Sequence, residues 1–282
     1  MKMTDKISEE LIRIAIKEDL GDGDHSTLSC IPNDSFGKAQ LLIKQNGVLA
    51  GVEVAKQVFN IIDSSLQIEQ FLFDGKDVYS GDKVFIVEGK THSILQAERL
   101  VLNIMQRMSG IATITKEYTN KLIGTKTKIL DTRKTTPGMR YFEKLAVKIG
   151  GGKNHRMGLY DMIMLKDNHI DYAGGVEPAI KKANKYLQQT GKKIKIEIEA
   201  RNLEEVEEIL KIGNVDIIML DNFNYEDTRK AVKLINNKFE TESSGGITME
   251  TIREYANCGV DYISVGALTH QIKSLDMSLK AI

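Results

Sequence analysis

The stretch "KIKIEIEARNLEEVEEILKIGNVDIIMLDN", residues 193–222, decides the fold class. It begins with an alternating β-type run at 193–198 and closes with a short apolar run at 216–220. Between these runs, "NLEEVEEILKIG" at 202–213 has the spacing of an amphipathic helix. A strand, a helix and a second strand in immediate succession predict two parallel strands joined by a helical crossover.

The same alternation recurs along the rest of the chain from about residue 128. Further apolar runs are "KIL" (128–130), "MIML" (162–165) and "YISV" (262–265), and "METIREYANCG" (249–259) is another helical pattern. Polar clusters such as "DTRK", "KDNH" and "DN" follow the runs. Because the carboxyl ends of the strands build the active site of a β/α barrel, these clusters predict an enzyme of that architecture.

The first part of the chain has a different pattern. An amphipathic helix is predicted at 7–20, and strand-like segments at 38–51, 66–73 and 82–90 follow it. A long helical pattern then covers 94–113.

We place the domain boundary within this long helix. The prediction is an N-terminal domain at 1–108 and a barrel domain at 109–268, with the tail at 269–282 packing on the N-terminal domain.

The charge of the chain is balanced, with 39 Lys and Arg against 39 Asp and Glu in 282 residues. A zero net charge argues against a nucleic-acid coat or a membrane-surface protein. The sequence shows no signal segment and no apolar run long enough for a membrane span, so we expect a cytoplasmic protein. Positive charge is concentrated locally, in 131–159, where Arg133, Lys134, Arg140 and Arg156 predict an anionic substrate.

This cationic stretch resembles the fingerprint of the quinolinate phosphoribosyltransferase family, also called nicotinate-nucleotide pyrophosphorylase (carboxylating). The motifs are "DTRKTTPG" (131–138), "EKLAVKIGGGKNHRMGL" (143–159) and "KDNHI" (166–170). The resemblance continues through nearly the whole chain in "EDLGDGD" (18–24), "GVLAG" (47–51), "AERLVLNIMQRMSGIAT" (97–113), "EIEARNLEE" (197–205), "LDN" (220–222), "SSGGIT" (243–248) and "SVGALTH" (264–270).

The resemblance implies a fold and a reaction. The fold is an N-terminal α/β sandwich domain followed by an incomplete, open α/β barrel with its active site at the carboxyl ends of the strands. The reaction joins quinolinate to 5-phosphoribosyl-1-pyrophosphate (PRPP) and gives nicotinate mononucleotide, pyrophosphate and CO2, a step of de novo NAD biosynthesis. The family uses Mg²⁺ with PRPP and no organic cofactor, and it forms homodimers or larger assemblies.

The resemblance also assigns site residues. Those implied to bind quinolinate are Arg99, Thr132, Arg133, Lys134, His155, Arg156 and Lys166. Those implied to bind PRPP are Lys134, Lys166, Glu199, Asp221, Ser244, Gly245, Gly246, Ser264, Val265 and Gly266. Lys134, Glu199 and Asp221 are the implied catalytic residues, and Glu199 and Asp221 are the implied metal ligands, directly or through water. Arg99 is implied to reach into the site of a neighbouring subunit.

One assignment stays ambiguous, because Glu197 and Glu199 point to the same side of a strand. We prefer Glu199 for the ribose, since it lies at the end of the predicted strand.

Three alternatives remain at this stage. A related pyrophosphorylase-like branch associated with molybdenum transport shares part of "TRKT", although "NHR" and "KDNH" are intact here. A Schiff-base aldolase would use Lys166 or Lys134 at the barrel mouth. A non-catalytic anion-binding protein would bind PRPP without releasing CO2.

Overall fold

The computed structural model describes residues 3–282, with side chains described from residue 7 onward. The strands are β1 (Phe36–Ile43), β2 (Gly47–Val48), β3 (Gln67–Gln70), β4 (Asp77–Val78), β5 (Lys83–Lys90), β6 (Lys128–Leu130), β7 (Met162–Leu165), β8 (Lys195–Ala200), β9 (Ile217–Asp221), β10 (Glu240–Ser244), β11 (Tyr262–Ser264) and β12 (Met277–Ala281). The helices are α1 (Met3–Leu20), α2 (His25–Cys30), α3 (Val52–Ile62), α4 (Thr91–Lys121), α5 (Arg140–Ile149), α6 (Asp167–Ala173), α7 (Val176–Thr190), α8 (Leu203–Ile212), α9 (Tyr225–Ile235), α10 (Ile252–Asn257) and α11 (Ala267–His270).

The chain forms two compact units. The first comprises Met1–Lys116, Thr135–Gly151 and Leu268–Ile282. The second comprises Glu117–Lys134 and Gly152–Ala267. Within residues 3–282, no helix combines the length and the apolar character needed to cross a bilayer.

The second unit contains a six-stranded sheet in the order β6-β11-β10-β9-β8-β7, and every pairing in it is parallel. The edge strands, β6 and β7, are consecutive in the chain, as in a barrel left open at one seam. This arrangement confirms the predicted incomplete α/β barrel. The outer edge of β6 is extended by a parallel bridge between Leu130 and Lys153.

Two crossover helices of this sheet, α8 and α9, begin where the sequence supplies a cap. After β8, the Asn202 side chain accepts a hydrogen bond from the Glu205 N–H and starts α8. After β9, Asn224 caps α9 in the same way through the Asp227 N–H. Each helix therefore starts within a few residues of a strand's carboxyl end and buries an apolar face, with Val206 and Ile209 buried on α8.

Strand β10 was not predicted as a run, because its sequence "ETESS" has no apolar residue. It nevertheless lies between β9 and β11, with Thr241, Glu242 and Ser243 buried. The Thr241 N–H and hydroxyl both donate to Asp261 Oδ2, at 3.0 and 2.8 Å. Periodicity of apolar residues cannot reveal a strand whose buried face is polar.

The first unit is built on an antiparallel sheet in the order β12-β1-β5-β3. In its core the rings of Phe59, on α3, and Phe85, on β5, meet edge to face at 5.9 Å between centroids. The last strand pairs with the first, with Leu279 opposite Leu41. Since the C-terminal residues complete this sheet, they belong to the first unit.

The middle of the cationic stretch is also part of the first unit, which the sequence interpretation did not foresee. Residues 140–149 form α5, with Phe142, Ala146 and Val147 buried. The Glu143 carboxylate is fully buried and accepts a hydrogen bond from Arg107 Nε, on α4, at 2.8 Å. At the end of α5, a β-carbon on Gly150 would lie 2.4 Å from the Ala112 carbonyl oxygen, so only glycine permits this helix contact.

Candidate active site

The second unit brings most of the predicted residues to the carboxyl edge of its sheet. Parallel strands present their carboxyl ends at one edge, which explains why residues so distant in sequence gather here. The residues that follow or end the strands are Asp131 to Lys134 after β6, Lys166 after β7, Glu199 in β8, Asp221 in β9, Ser244 to Gly246 at β10 and Ser264 to Gly266 at β11. Arg99 belongs to the first unit, where it is exposed on α4.

Asp131 fixes the geometry of the cationic residues. Its side chain is completely buried, and it accepts hydrogen bonds from Asn154 Nδ2 at 2.5 Å and from the His155 N–H at 2.9 Å. It immediately precedes the predicted substrate-binding residues at 132–134. One buried carboxylate therefore ties the segment after β6 to the segment that carries His155 and Arg156.

Two guanidinium groups at this edge carry like charge close together. Burial lowers the pKa of Arg156, and the positive charge of Arg133 lowers it further. Nearby carboxylates, including Glu197 and Asp161, act in the opposite direction. Among the described residues, the buried Nε of Arg133 has no hydrogen-bond acceptor. Buried donors are normally paired, so this arrangement is typical of a site that binds an anion.

Lys166 and Glu199 form an ion pair at the ends of neighbouring strands. Lys166 Nζ lies 2.5 Å from Glu199 Oε1, and the Asp167 N–H donates to Glu199 Oε2 at 3.1 Å. The Glu199 side chain is 7% exposed, whereas that of Lys166 is 45% exposed. The carboxylate is thus held in place by the protein, while part of the lysine remains open to solvent.

Glu197 lies two residues earlier on β8 and deeper in the sheet. Its side chain is fully buried, and Oε2 lies 3.0 Å from His155 Nε2. Glu242, on β10, is also fully buried and places Oε2 at 3.4 Å from the same nitrogen. The other ring nitrogen of His155, Nδ1, accepts the Arg156 N–H at 2.7 Å. Both nitrogens of this histidine therefore face protein groups.

These groups retain a proton near neutral pH. Burial and the charge of Glu242 raise the pKa of Glu197 to about 7, although His155 acts against the shift. Burial would lower the pKa of His155, but its contacts with Glu197 and Glu242 outweigh that effect and raise it.

The loops after β9 and β10 fit closely together. Asn222 has a positive φ of 56° and donates from Nδ2 to Asp221 Oδ2 at 2.7 Å, while its N–H donates to the Ser244 carbonyl at 2.9 Å. Gly245 has φ 96°, and a β-carbon there would lie 2.1 Å from Asn222 Oδ1. The backbone at Gly245, in the predicted phosphate-binding loop, therefore packs against the Asn222 side chain, which orients Asp221.

Sequence reasoning missed four residues of this arrangement. Asp131, Asn154 and Asn222 were inside quoted motifs but received no role, and Glu242 lies in the strand that was not predicted. The sequence did contain a signal for Glu242, because it is a charged residue in a segment that lies between two predicted barrel strands.

Two groups of carboxylates are candidate ligands for a metal ion. Asp221 ends β9, Glu199 is the penultimate residue of the adjacent β8, and carboxylate oxygens are the ligands Mg²⁺ prefers. His155, Glu197 and Glu242 place one potential ligand atom each within 4.8 Å of one another. Hard oxygen donors at the open edge of the sheet fit Mg²⁺ bound together with a phosphorylated substrate.

Comparison with known proteins gives one consistent family. Residues 24–109 match the model for the N-terminal domain of quinolinate phosphoribosyl transferase, and residues 111–280 match that for its C-terminal domain. A relative in Nicotiana tabacum, "Quinolinate phosphoribosyltransferase [decarboxylating] 2b, mitochondrial", is 46% identical over 96% of this chain and 81% of its own length. A Bacillus subtilis relative, "Probable nicotinate-nucleotide pyrophosphorylase [carboxylating]", is 41% identical over 96% of this chain and 92% of its own length.

A solved structure agrees with these matches. The crystal structure of NadC from Streptococcus pyogenes superposes with a TM-score of 0.91 and 41% identity, covering 96% of this chain and 94% of the other. The molybdenum-transport and aldolase alternatives are not favoured by any of these matches. The chain therefore belongs to the quinolinate phosphoribosyltransferase family of pentosyltransferases, which confirms the resemblance seen in the sequence.

Proposed function

We propose that this chain transfers the phosphoribosyl group of PRPP to quinolinate with decarboxylation, giving nicotinate mononucleotide, pyrophosphate and CO2 for de novo NAD synthesis. The observation that carries the proposal is the pair of neighbouring guanidinium groups, Arg133 and Arg156, with the Arg133 Nε buried and lacking an acceptor in the described part of the chain. A dicarboxylate supplies the acceptors that such a pair needs. The names of the relatives at 46% and 41% identity support the same chemistry.

Quinolinate is proposed to bind through the cationic and polar residues of the sequence prediction. These are Arg99, Thr132, Arg133, Lys134, His155, Arg156 and Lys166. The ring carboxylates would meet guanidinium groups, because the planar guanidinium fork matches carboxylate geometry in two parallel hydrogen bonds. A substrate with one carboxylate would leave desolvated cations unpaired, so the site should select the dicarboxylate.

PRPP is proposed to bind across the same edge. Lys134, Lys166, Glu199 and Asp221 would contact it, with the backbone of the loops at Ser244, Gly245, Gly246, Ser264, Val265 and Gly266. As pyrophosphate leaves, positive charge develops on the ribose and negative charge on the leaving group. Carboxylates near the ribose and lysines near the departing pyrophosphate stabilise the transition state more than the ground state.

Glu199 is the better of the two glutamates on β8 for the ribose, because it lies at the open end of the strand, whereas Glu197 is fully buried against His155. Glu199 and Asp221 would hold Mg²⁺, which when bound with PRPP neutralises phosphate charge. Decarboxylation needs no organic cofactor in this proposal, because the ribosylated pyridine nitrogen is cationic and stabilises the adjacent carbanion.

Three organisational features complete the proposal. We place the catalytic domain at residues 109–268 and the accompanying α/β domain at residues 1–108 and 269–282, although residues 109–116 and 135–151 pack within the first compact unit. The protein is a homodimer or a larger homo-oligomer in which Arg99 enters the neighbouring subunit's site. It works in the cytoplasm, without a nucleic-acid or membrane partner.

The test is to incubate the purified protein with quinolinate, PRPP and Mg²⁺ and to follow nicotinate mononucleotide and CO2. We expect both products in equal amounts, and nicotinate in place of quinolinate should be a very poor substrate. Comparable turnover of nicotinate would overturn the dicarboxylate assignment. Borohydride trapping of a carbonyl substrate on Lys166 or Lys134 would instead support an aldolase, because phosphoribosyl transfer forms no imine.

A further inference from the structure

Arg107, on α4, joins three segments of the first unit in one hydrogen-bond network. Its Nε donates to the Glu143 carboxylate, on α5, at 2.8 Å. Its Nη2 donates to the Thr136 hydroxyl at 2.8 Å and to the Thr269 carbonyl oxygen at 3.2 Å. All four residues belong to the first unit. Because a guanidinium is planar and its N–H groups point in fixed directions, this one side chain sets the positions of all three segments.

Glu143 binds the same loop residue as Arg107 does. The Glu143 side chain is completely buried, and its second oxygen, Oε2, accepts a hydrogen bond from the Thr136 N–H at 3.2 Å. Thr136 is therefore held through its hydroxyl by a cation and through its backbone by an anion. Hydrogen bonds in which one partner is charged are stronger than neutral ones, so the position of Thr136 is well defined.

Thr136 lies two residues after Lys134, the proposed catalytic lysine. The chain leaves the second unit at Lys134 and enters the first at Thr135. At the start of this segment, the buried Asp131 is anchored by the two hydrogen bonds described above. Within it, the Lys134 N–H donates to the Thr132 hydroxyl at 3.1 Å. The predicted substrate residues at 132–134 thus lie on a short span that is fixed at both ends.

Thr269 has the corresponding place after the other predicted substrate loop. It belongs to α11, three residues after Gly266, which ends the predicted phosphate-binding segment that follows β11. The chain enters the first unit again at Leu268, and Thr269 is completely buried there. Arg107 therefore holds the two segments into which the loops after β6 and β11 lead.

We propose that Arg107 is a positioning residue for both substrates, which fixes the loops after β6 and β11 by binding Thr136 and Thr269. Glu143 orients its guanidinium and takes the Thr136 N–H. The proposal rests on the proposed function and gives roles to Arg107, Glu143 and Thr136, which lie outside the predicted set of site residues. Since catalysis depends on the placement of groups within about 1 Å, residues that fix a loop affect the reaction without contacting the substrate.

Thr136→Val tests the loop after β6. This variant removes the hydroxyl that accepts from Arg107 but keeps the N–H that binds Glu143, so the fold should be retained. We expect the Kd for quinolinate to rise roughly 10-fold, as when a supporting group is displaced. The Kd for PRPP should rise less, because the loops after β10 and β11 also hold PRPP in the proposed site. Thr136→Ser should bind quinolinate like the wild type, because its hydroxyl still accepts from Arg107.

Arg107→Met removes the support of both loops. We expect the Kd values for quinolinate and for PRPP both to rise, roughly 10- to 100-fold. The matched control is Arg253→Met. Arg253 also holds backbone segments, through the Lys121 and Ile123 carbonyl oxygens at 2.9 and 2.6 Å, but these lie outside the proposed site. Its loss should leave both affinities unchanged. Wild-type affinity for quinolinate in Thr136→Val, or for both substrates in Arg107→Met, would overturn the proposal.

Amide hydrogen exchange without substrates measures the loop itself. The backbone amides of residues 132–136 should exchange faster in Thr136→Val than in the wild type, and at the wild-type rate in Thr136→Ser and Arg253→Met. Unchanged exchange in Thr136→Val would show that Arg107 does not fix this loop. The product assay on the wild-type protein reports the proposed function separately, so that a failure of the loop assignment and a failure of the assigned reaction give different results.

Discussion

Gly245 lies so close to Asn222 that a β-carbon at position 245 would come within 2.1 Å of the Asn222 side-chain oxygen and 2.9 Å of its backbone nitrogen. The φ of Gly245, 96°, is also unfavourable for any other residue. We expect Gly245→Ala to displace Asn222 and the loop, lowering the free energy of unfolding by roughly 1–3 kcal/mol. The KM for PRPP should rise, as measured by initial rates.

The matched control is Gly213, which ends α8 and lies outside the proposed site. Its φ is 67°, so alanine there also costs about 1–3 kcal/mol of backbone strain, but a β-carbon would meet no described atom within 4 Å. Gly213→Ala should therefore retain a KM for PRPP near the wild-type value. The same KM in both variants would show that contact with Asn222 does not shape the loop.

Glu199 is expected to act in the transition state. Glu199→Gln removes the negative charge beside the developing ribose cation but keeps an acceptor for the Asp167 N–H. We expect kcat to fall roughly 100-fold, the range seen when one electrostatic group of an active site is removed. The KM for quinolinate should change little. Steady-state kinetics with both substrates varied would measure the two effects.

The control for this variant is Glu240→Gln. Glu240 pairs with Lys195 at 2.5 Å, the same distance as Glu199 to Lys166, but at the amino end of the sheet. Loss of this ion pair should leave kcat unchanged. An effect of Glu199→Gln restricted to the KM for quinolinate would contradict a role in the transition state.

Arg99 tests whether the active site is shared between subunits. Arg99→Ala should weaken quinolinate binding by about 2–5 kcal/mol, as when a buried charge pair loses one partner. Arg99→Lys should restore only part of the affinity, because the planar fork is missing. Mixed under subunit exchange, inactive Arg99→Ala and inactive Lys134→Ala proteins should regain activity, since one site of each mixed dimer then carries neither lesion.

The control mixture combines Lys134→Ala with Lys166→Ala. Both lysines belong to the second unit of the same chain, so each site of a mixed dimer would carry one lesion and stay inactive. If subunit exchange is verified and the Arg99 mixture still recovers no activity, each site is made by a single chain.

Asp261 should make stability depend on pH at acidic values. Burial alone would raise its pKa, but the hydrogen bonds from Lys126 and Thr241 outweigh burial and lower the pKa below 3.8. A carboxyl whose pKa is depressed in the folded state stabilises that state above the unfolded pKa, and this contribution is lost as pH falls through the folded value. Asp261→Asn should cost about 1–3 kcal/mol at pH 7, and the difference from wild type should shrink below about pH 4.

Denaturant unfolding at several pH values measures this effect. For Lys126→Met, the difference in unfolding free energy from wild type should change less with pH than it does for Asp261→Asn. The reason is that Asp261 and its Thr241 hydrogen bonds remain in Lys126→Met. Activity should be unaffected in both variants, since Asp261 precedes β11 at the amino end of the sheet. If the difference in unfolding free energy between Asp261→Asn and wild type stays constant across the whole pH range, the lowered pKa of Asp261 is refuted.

The barrel was predictable wherever a buried strand is apolar. The runs at 128–130 and 162–165 coincide with β6 and β7, and the alternating run at 193–198 overlaps β8. The polar strand β10 was invisible to this reasoning, because it contains no apolar residue; backbone pairing with β9 and β11 and the hydrogen bonds of Thr241 to Asp261 hold it in the sheet. Helix α5 was missed for a related reason: its charged residues were interpreted as a substrate surface, yet Glu143 and Lys144 are buried.

The candidate site was predictable as a set of residues but not as an arrangement. The motifs named Arg133, Arg156 and Glu199, whose side chains gather at one edge of the sheet. They could not show that Glu242 approaches His155, because that contact joins β10 to the segment between α5 and β7 and depends on the register of the sheet. Strand register is a tertiary property, which spacing along one chain does not contain.

The pairing of β12 with β1 has a consequence for the order of assembly. All strands of the barrel sheet lie between β1 and β12 in sequence, so the whole of that sheet is synthesised before residues 277–281. One edge of β1 therefore stays unpaired until β12 has been synthesised, and such long-range strand pairing is slow. The unit that contains the N-terminal strands is thus the later of the two to be completed during synthesis, and β1 is the edge most in need of protection until then.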